Sequence, residues 1–226
     1  MNISQAIASR RCVRAFLDTD VPEAVLRRVI AGAARAPSGG NLQPWRIYVL
    51  RGAPLAGLKA RMRERLAADP SPDPREYAIY PENLWEPYRS QRFRVGEMMY
   101  AELGIPREHR DARIAWFRNN FDFFGAPVGL FCYIDRRMGP PQWSDLGMYL
   151  QNVMLLLREE GLDSCPQECW STYNRVVAEA LSPPPELMLF CGMATGFEDT
   201  RAPVNRLKTE RMTPDAFATF IGFRNL

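Results

Sequence analysis

A chain of 226 residues that is 46% hydrophobic and 24% charged is long enough for one large or two small globular domains with a sizeable core. Its 29 basic and 26 acidic residues leave a formal charge of +3, spread along the whole length, which argues against nucleic-acid binding and suits an anionic small molecule equally well. The five cysteines, Cys12, Cys132, Cys165, Cys169 and Cys191, are odd in number and set in apolar contexts, arguing against a disulfide framework and for a reducing, cytoplasmic setting.

No membrane span is expected. The uncharged run from Gly125 to Ile134 is about half of the ~20 residues that cross a bilayer. Arg10 and Arg11 arrive too early for an apolar signal core, so secretion is not expected either.

In chain order, Ser4 to about Arg11 reads as a short helix. A second helix is signalled by Asp20, by Pro22 in its first turn and by Glu23. Val25, Leu26, Val29, Ile30 and Ala33 form its apolar stripe, and Pro37 with the glycines at 39 and 40 stop it. Next, Trp45, Ile47 and Val49 alternate with Arg46 and Tyr48, as in a strand with one covered side. A helix from about Leu55 to Ala68 turns Leu55, Leu58, Met62 and Leu66 inward.

Residues 69–124 differ in character: prolines at 70, 72, 74, 81 and 87 punctuate a segment crowded with aromatics from Tyr77 to Phe124. It reads as a helical insertion whose aromatics are mostly core on two helices, with a subset free to line a pocket. The run Val128–Ile134 is too continuously apolar for a surface strand. Leu146 to Leu157 is apolar nearly all round and predicts a fully buried central helix, the hub of the fold, ended by Gly161. Another buried strand covers Leu187 to Met193, and Thr213-Pro214 caps a last helix with Phe217, Phe220 and Ile221 inward. Elements of unequal length, without repeat or strict alternation, predict a single α+β domain over residues 1–226 rather than a doubly wound one.

Few residues can carry chemistry. There is no G-x-G-x-x-G after a strand and no Walker-type lysine loop, which argues against a stably bound Rossmann dinucleotide or an ATPase. Cys165 and Cys169 form a C-x3-C spacing, but His109 is the one histidine of the chain, so no metal site is expected. His109 lies in a charged stretch that suits a solvated helix start better than a Ser-His-Asp or Cys-His mechanism. Glu159 and Glu160 read as surface. Arg10, Arg11 and Arg14 stand out, ten and fourteen being one helical turn apart if the first helix persists, and so does Ser38-Gly39-Gly40-Asn41. A phosphate gives up its hydration only to cations and free backbone N–H groups in a concave loop, and paired glycines permit the backbone angles of such a loop. Alone, each motif equally suits a solvated basic face or a helix-ending turn. Together they point to a phosphate-bearing organic cofactor that does the hard chemistry itself.

The segments Ser9–Arg14, Ala34–Trp45, Gly161–Glu168 and Pro203–Arg206, in that order and at those separations, resemble the FMN-dependent nitroreductase family across nearly the whole chain. The Pro37-Ser38-Gly39-Gly40-Asn41 loop and the insertion before the central helix look closest to its nitrobenzoate-reductase-like branch. The resemblance implies an α+β sandwich, a central mainly antiparallel sheet flanked by helices, and an intertwined homodimer with FMN at the interface. Residues from about 199 to 226 are then assigned to wrapping onto the partner chain.

By the same resemblance, FMN binding falls to Arg10, Arg11, Cys12 and Arg14, to Pro37, Ser38, Gly39 and Asn41, to Pro166, Gln167 and Glu168, and to Asn205 and Arg206. Arg10 and Arg206 are directed at the phosphate and Arg14 at the flavin pyrimidine. The loop at 37–41 serves the partner's flavin, and residues 166–168 lie beside N5. Asn119 or Asn120 matches a ring-contacting asparagine, and Cys12 replaces the usual serine. The implied activity is a ping-pong oxidoreductase that takes hydride from NADPH or NADH and reduces nitroaromatic or other flat aromatic acceptors, with no catalytic side chain. Tyr80, Trp85, Tyr88 and Phe124 are candidates for the aromatic wall of the acceptor pocket. Relatives on this fold also act as enoate reductases, reductive dehalogenases or flavin-fragmenting enzymes. Outside enzymology, the reading is a flavin-binding sensor or storage protein.

Overall fold

Val128–Asp135, strand β3, carries seven buried side chains in eight, because helices cover both faces of the sheet it centres. The computed structural model that shows this describes residues 1–223. Phe131 and Tyr133 point into one core, while Leu130, Cys132 and Ile134 point into the other, the alternation of a pleated strand. β3 pairs antiparallel with β2 (Arg46–Arg51) on one side and with β5 (Leu187–Glu198) on the other. On its far side β5 pairs antiparallel with β4 (Asp163–Gln167) and then with the two-residue β1 (Phe16–Leu17). The fold is therefore α+β, with a five-stranded antiparallel sheet.

The first core lies beneath α3 (Gly52–Ala68) and α7 (Asn174–Leu181), with the 3-10 turns Asn119–Gly125 and Glu168–Tyr173. Leu55, Leu58, Met62 and Leu66 are all buried there, as their spacing predicts; burial of such side chains is worth about 1.5–3 kcal/mol each. The second core is closed by α2 (Glu23–Ala33) and α6 (Pro140–Glu159), which bury Leu26, Val29, Ala33, Leu146, Tyr149 and Val153. The α1 helix (Ile3–Ser9) leans on α6, while α4 (Tyr88–Glu102) and α5 (Arg110–Arg118) bury no residue at all. Among the described residues no helix is long and apolar enough to cross a membrane.

Six expectations need correction. The first helix stops at Ser9, and Asp20 caps nothing but pairs with Arg51 at 2.9 Å. β2 is covered on both faces: Trp45 and Ile47 face one core and Tyr48 and Leu50 the other, leaving Val49 exposed. The α6 helix is not buried all round, since Met148 is 38% exposed and Met154 and Leu156 are only partly covered. Of the aromatics at 77–124, Phe121, Phe123 and Phe124 are core, whereas Tyr80, Trp85, Tyr88, Phe93 and Phe117 are exposed, because α4 and α5 project from the sheet. Among the described residues the last helix is absent. A single turn, Pro214–Ala216, stands in its place with Phe217, Phe220 and Ile221 exposed, since a short amphipathic segment with no surface to pack on gains too little to nucleate. Three residues of the 199–226 segment, 224–226, lie outside the described residues.

Candidate functional site

Beyond Ser9 the backbone straightens at Arg10 (φ −62°, ψ 125°), so Arg10 and Arg14 do not share a helical turn. They share a side of an extended segment instead. Cys12 forms a parallel bridge to Ser164 on the free edge of β4, and the Val13 N–H donates to the Ser164 carbonyl at 3.1 Å. Val13 faces the core, and Arg11 turns to the end of β5, where its guanidinium grips Glu198 at 2.5 and 2.6 Å. Arg11 is thereby an ion-pair partner rather than a free cation. Arg10, Cys12 and Arg14 fall on the other side, where the charges of both arginines act on the Cys12 thiol. The hydrogen bond from Cys165 lowers that thiol to about 6 despite burial, helped by Arg14 and Arg10. As its hydrogen-bond partner, Cys165 is pushed up.

The arginine segment is held by Asn205. Its Oδ1 accepts from the Arg14 N–H at 2.8 Å, and its Nδ2 donates to the carbonyls of Ala15 at 2.9 Å and Asp199 at 3.0 Å. This buried side chain spends its polar atoms on backbone and fixes the course of the arginine segment. Arg206 is also engaged, its Nε donating to Glu102 Oε2 at 3.2 Å. Among the described residues Arg10 and Arg14 carry no ion pair.

Arg14 opens into a cleft of about 790 Å³ bounded by α4, residues 80–84, Phe117 and Leu207, a size within the range of small-molecule sites. Of the four aromatic-wall candidates, Tyr80 alone lines it. Trp85 and Tyr88 form an edge-to-face pair on the surface, ring centroids 5.5 Å apart. Phe124 is 7% exposed and packs against Trp116, so it is core. Its place in the folded chain, in the turn beneath α3, is what removes it from the pocket.

Pro37, Ser38, Gly39 and Asn41 do not reach that cleft in the same chain. Gly39–Asn41 form one 3-10 turn in which Gly40 and Asn41 both take φ 57°, a left-handed conformation that glycine adopts without strain. The Gln43 N–H donates to Ser38 Oγ at 3.1 Å, and the Gly39 N–H donates to Asp145 Oδ2 at 3.1 Å. Asp145, 6% exposed on α6, is a residue that sequence reasoning missed; its signal was a carboxylate abutting an apolar helical stripe.

At the end of β4, Gln167 is buried and donates from Nε2 to the Asn120 carbonyl at 2.7 Å and to Asn120 Oδ1 at 3.3 Å. Its Oε1 is buried with no partner among the described residues, an acceptor left for an N–H group. Glu168 follows, its carboxyl raised by partial burial. Pro166 faces Met193 across the β4–β5 ladder. The arrangement offers two guanidinium groups without ion pairs among the described residues, an orphaned acceptor and an aromatic-lined cleft. It can hold an anionic, flat organic group and leaves the chemistry to that group.

Comparison with known proteins follows the same line. A model of the nitroreductase family matches residues 7–197. A 4-nitrobenzoate reductase of Pseudomonas putida is 38% identical over 217 residues, covering 96% of this chain and 94% of that protein. A nitrobenzene nitroreductase of Ectopseudomonas oleovorans is 35% identical, covering 97% and 96%. Among solved structures, the FMN and NADPH-dependent nitroreductase NfnB from Sphigopyxis sp. strain HMH superposes with a TM-score of 0.95 at 47% identity, over 99% of this chain and 100% of that one.

Proposed function

The chain belongs to the nitroreductase family, and from that premise we propose that it is an FMN-dependent oxidoreductase that uses NADPH to reduce nitro groups on aromatic rings, working as a homodimer in the cytoplasm. The observation that carries the reading is the pair of arginines around Cys12, neither with an ion pair among the described residues, of which Arg14 lines the cleft. Arg10 holds the FMN phosphate, Arg14 neutralises charge at the flavin pyrimidine, and the Gln167 Oε1 acceptor takes an N–H. Bound FMN supplies the two-electron chemistry, from the nicotinamide to the nitro group. The protein's own part is to bind, orient and neutralise. Tyr80 and Phe117 offer flat apolar surface to the acceptor.

The homodimer accounts for apolar surface that one chain leaves bare. Ile3 and Ile7 on α1, Leu42 in the glycine loop, Met148 on α6 and Phe217, Phe220 and Phe223 near the C-terminus are 38–86% exposed with Ile221. Apolar side chains exposed on a single chain are the ones a partner would cover. In the dimer the Pro37–Asn41 loop, absent from its own chain's cleft, serves the partner's.

Purified protein should be yellow, release FMN on denaturation, bleach with NADPH and reduce a nitroaromatic panel faster than unsaturated carbonyl or halogenated phenol substrates. Sedimentation should give twice the chain mass of 25.8 kDa. A colourless protein that cannot be reconstituted with FMN overturns the reading.

Cys12 adds a pH signature. Its thiol, held at about 6 chiefly by the Cys165 hydrogen bond, places a negative charge among the phosphate-binding cations once pH exceeds that value. Anion binding is then weakened by that charge and linked to proton uptake on Cys12, so this contribution to affinity falls as pH rises through about 6. The phosphate's own second ionisation, also near 6, acts oppositely in every variant and cancels in a ratio. The ratio of wild-type to Cys12→Ser dissociation constants should therefore rise about 3- to 10-fold between roughly pH 5.5 and 7.5. A flat ratio would show that Cys12 keeps its proton.

A further inference from the structure

Three cleft residues one helical turn apart on α4 have no role yet: Arg92, Gly96 and Tyr100 share one face of the helix and all line the cleft. The Arg92 guanidinium lies 4.2 Å from the centroid of the Tyr80 ring, a stacked arrangement that immobilises the cation while leaving its N–H edge free for a planar anion. Its neighbours in the cleft are mostly neutralised: Arg89 pairs with Glu86, and Glu97 with Arg113 at 2.5 Å. Glu82 is the remaining carboxylate, against Arg14 and Arg92. Among the described residues Arg92 has no ion-pair partner.

Gly96 is the second observation. A glycine inside a helix is unfavourable relative to alanine, and here no steric constraint explains it, since a Cβ at this position would meet nothing within 4 Å. What the glycine leaves is room, between a stacked cation one turn before it and the Tyr100 ring one turn after.

We propose that the Arg92–Gly96–Tyr100 face of α4 is a subsite for nitroaromatic acids, in which Arg92, stacked on Tyr80, pairs with a carboxylate on the acceptor ring and Gly96 leaves space for that ring. The proposal rests on the nitroaromatic reading above and narrows it: the compounds for which two relatives are named, a nitrobenzoate and nitrobenzene, differ by one carboxylate. A bidentate guanidinium–carboxylate pair specifies geometry as well as charge.

The test compares 4-nitrobenzoate with nitrobenzene as acceptors for the FMN-loaded wild type, Arg92→Met and Arg92→Lys, alongside calorimetric binding of unreactive benzoate. The wild type should prefer the acid. Arg92→Met should lower that preference about 10- to 100-fold, through KM, and weaken benzoate binding by the same factor, with partial recovery in Arg92→Lys. A Gly96→Leu variant should weaken benzoate binding by filling the space. Equal loss on both acceptors, or unaltered benzoate binding, overturns the subsite. An effect confined to the KM of NADPH relative to NADH also overturns it, by placing the anion on the donor's phosphate. If neither nitro compound is turned over, the nitroreductase reading fails, whereas benzoate binding still decides the subsite.

Discussion

Replacing Arg14 with alanine is expected to weaken FMN binding about 10- to 100-fold, the loss of one charge-assisted contact, without unfolding the segment that carries it. The reason for the separation is geometric. What holds residue 14 in place is its backbone N–H, bonded to Asn205 Oδ1, together with the Val13–Ser164 hydrogen bond; the guanidinium makes only a 3.5 Å contact to the Cys12 carbonyl. Alanine keeps the first two. Because the cation is assigned to the flavin pyrimidine, it favours the more negative reduced form, and its removal should also shift the midpoint potential of bound FMN negatively, by about 30 mV for each tenfold difference between the two redox states. Quenching of FMN fluorescence gives the affinity, and redox titration gives the potential. Arg11→Ala is the contrast, since that guanidinium is committed to Glu198: FMN affinity should stay within about threefold of wild type. Equal loss in both variants would mean that the alternation of sides along residues 10–14 is wrong.

That alternation shows what the sequence could and could not reveal. Arg10 and Arg14 do share a side with Cys12, but through an extended segment with a period of two, not through a helical turn. A spacing of four satisfies both periods, so it does not by itself separate a helical turn from an extended segment. Leu55, Leu58, Met62 and Leu66 satisfy one period alone and read cleanly as the buried face of α3. β4 was invisible as a strand because Asp163-Ser164-Cys165-Pro166-Gln167 has no apolar alternation; it is buried by its neighbours, including the Arg158–Asp163 ion pair at 2.6 Å. Arg11, Asn205 and Phe124 carry residue types that suit a flavin site, and their engagement elsewhere is decided by contacts with Glu198, the Ala15 and Asp199 carbonyls and Trp116. Such long-range contacts leave no local pattern. Leu146–Leu157 is apolar nearly all round, but its second face is not covered within one chain, so composition alone does not say which faces of such a helix are buried.

Gly192→Ala should destabilise the fold more than any substitution in the cleft, by about 3 kcal/mol or more, because a Cβ there would lie 2.4 Å from Trp170 Cδ1 and 3.0 Å from its Nε1. Neither side can retreat. Gly192 sits within β5, opposite Phe131 of β3 and Gln167 of β4, so moving its backbone breaks two ladders. Trp170 is fully buried, stacked on Phe123 with centroids 4.8 Å apart and met edge-on by Phe121 and Phe131, each at 5.2 Å. In a chain of this length each kcal/mol lowers the melting temperature by roughly 2–4 °C, so a fall of about 6–12 °C is expected. Since Gln167 is the paired residue, FMN retention should decline with stability. A double-mutant cycle isolates the cause: in a Trp170→Phe background, where the smaller ring frees the space, the added methyl should cost at least about 1 kcal/mol less. If alanine at 192 costs the same in both backgrounds, the indole is not what forbids a side chain there, and the strand itself must be the constraint.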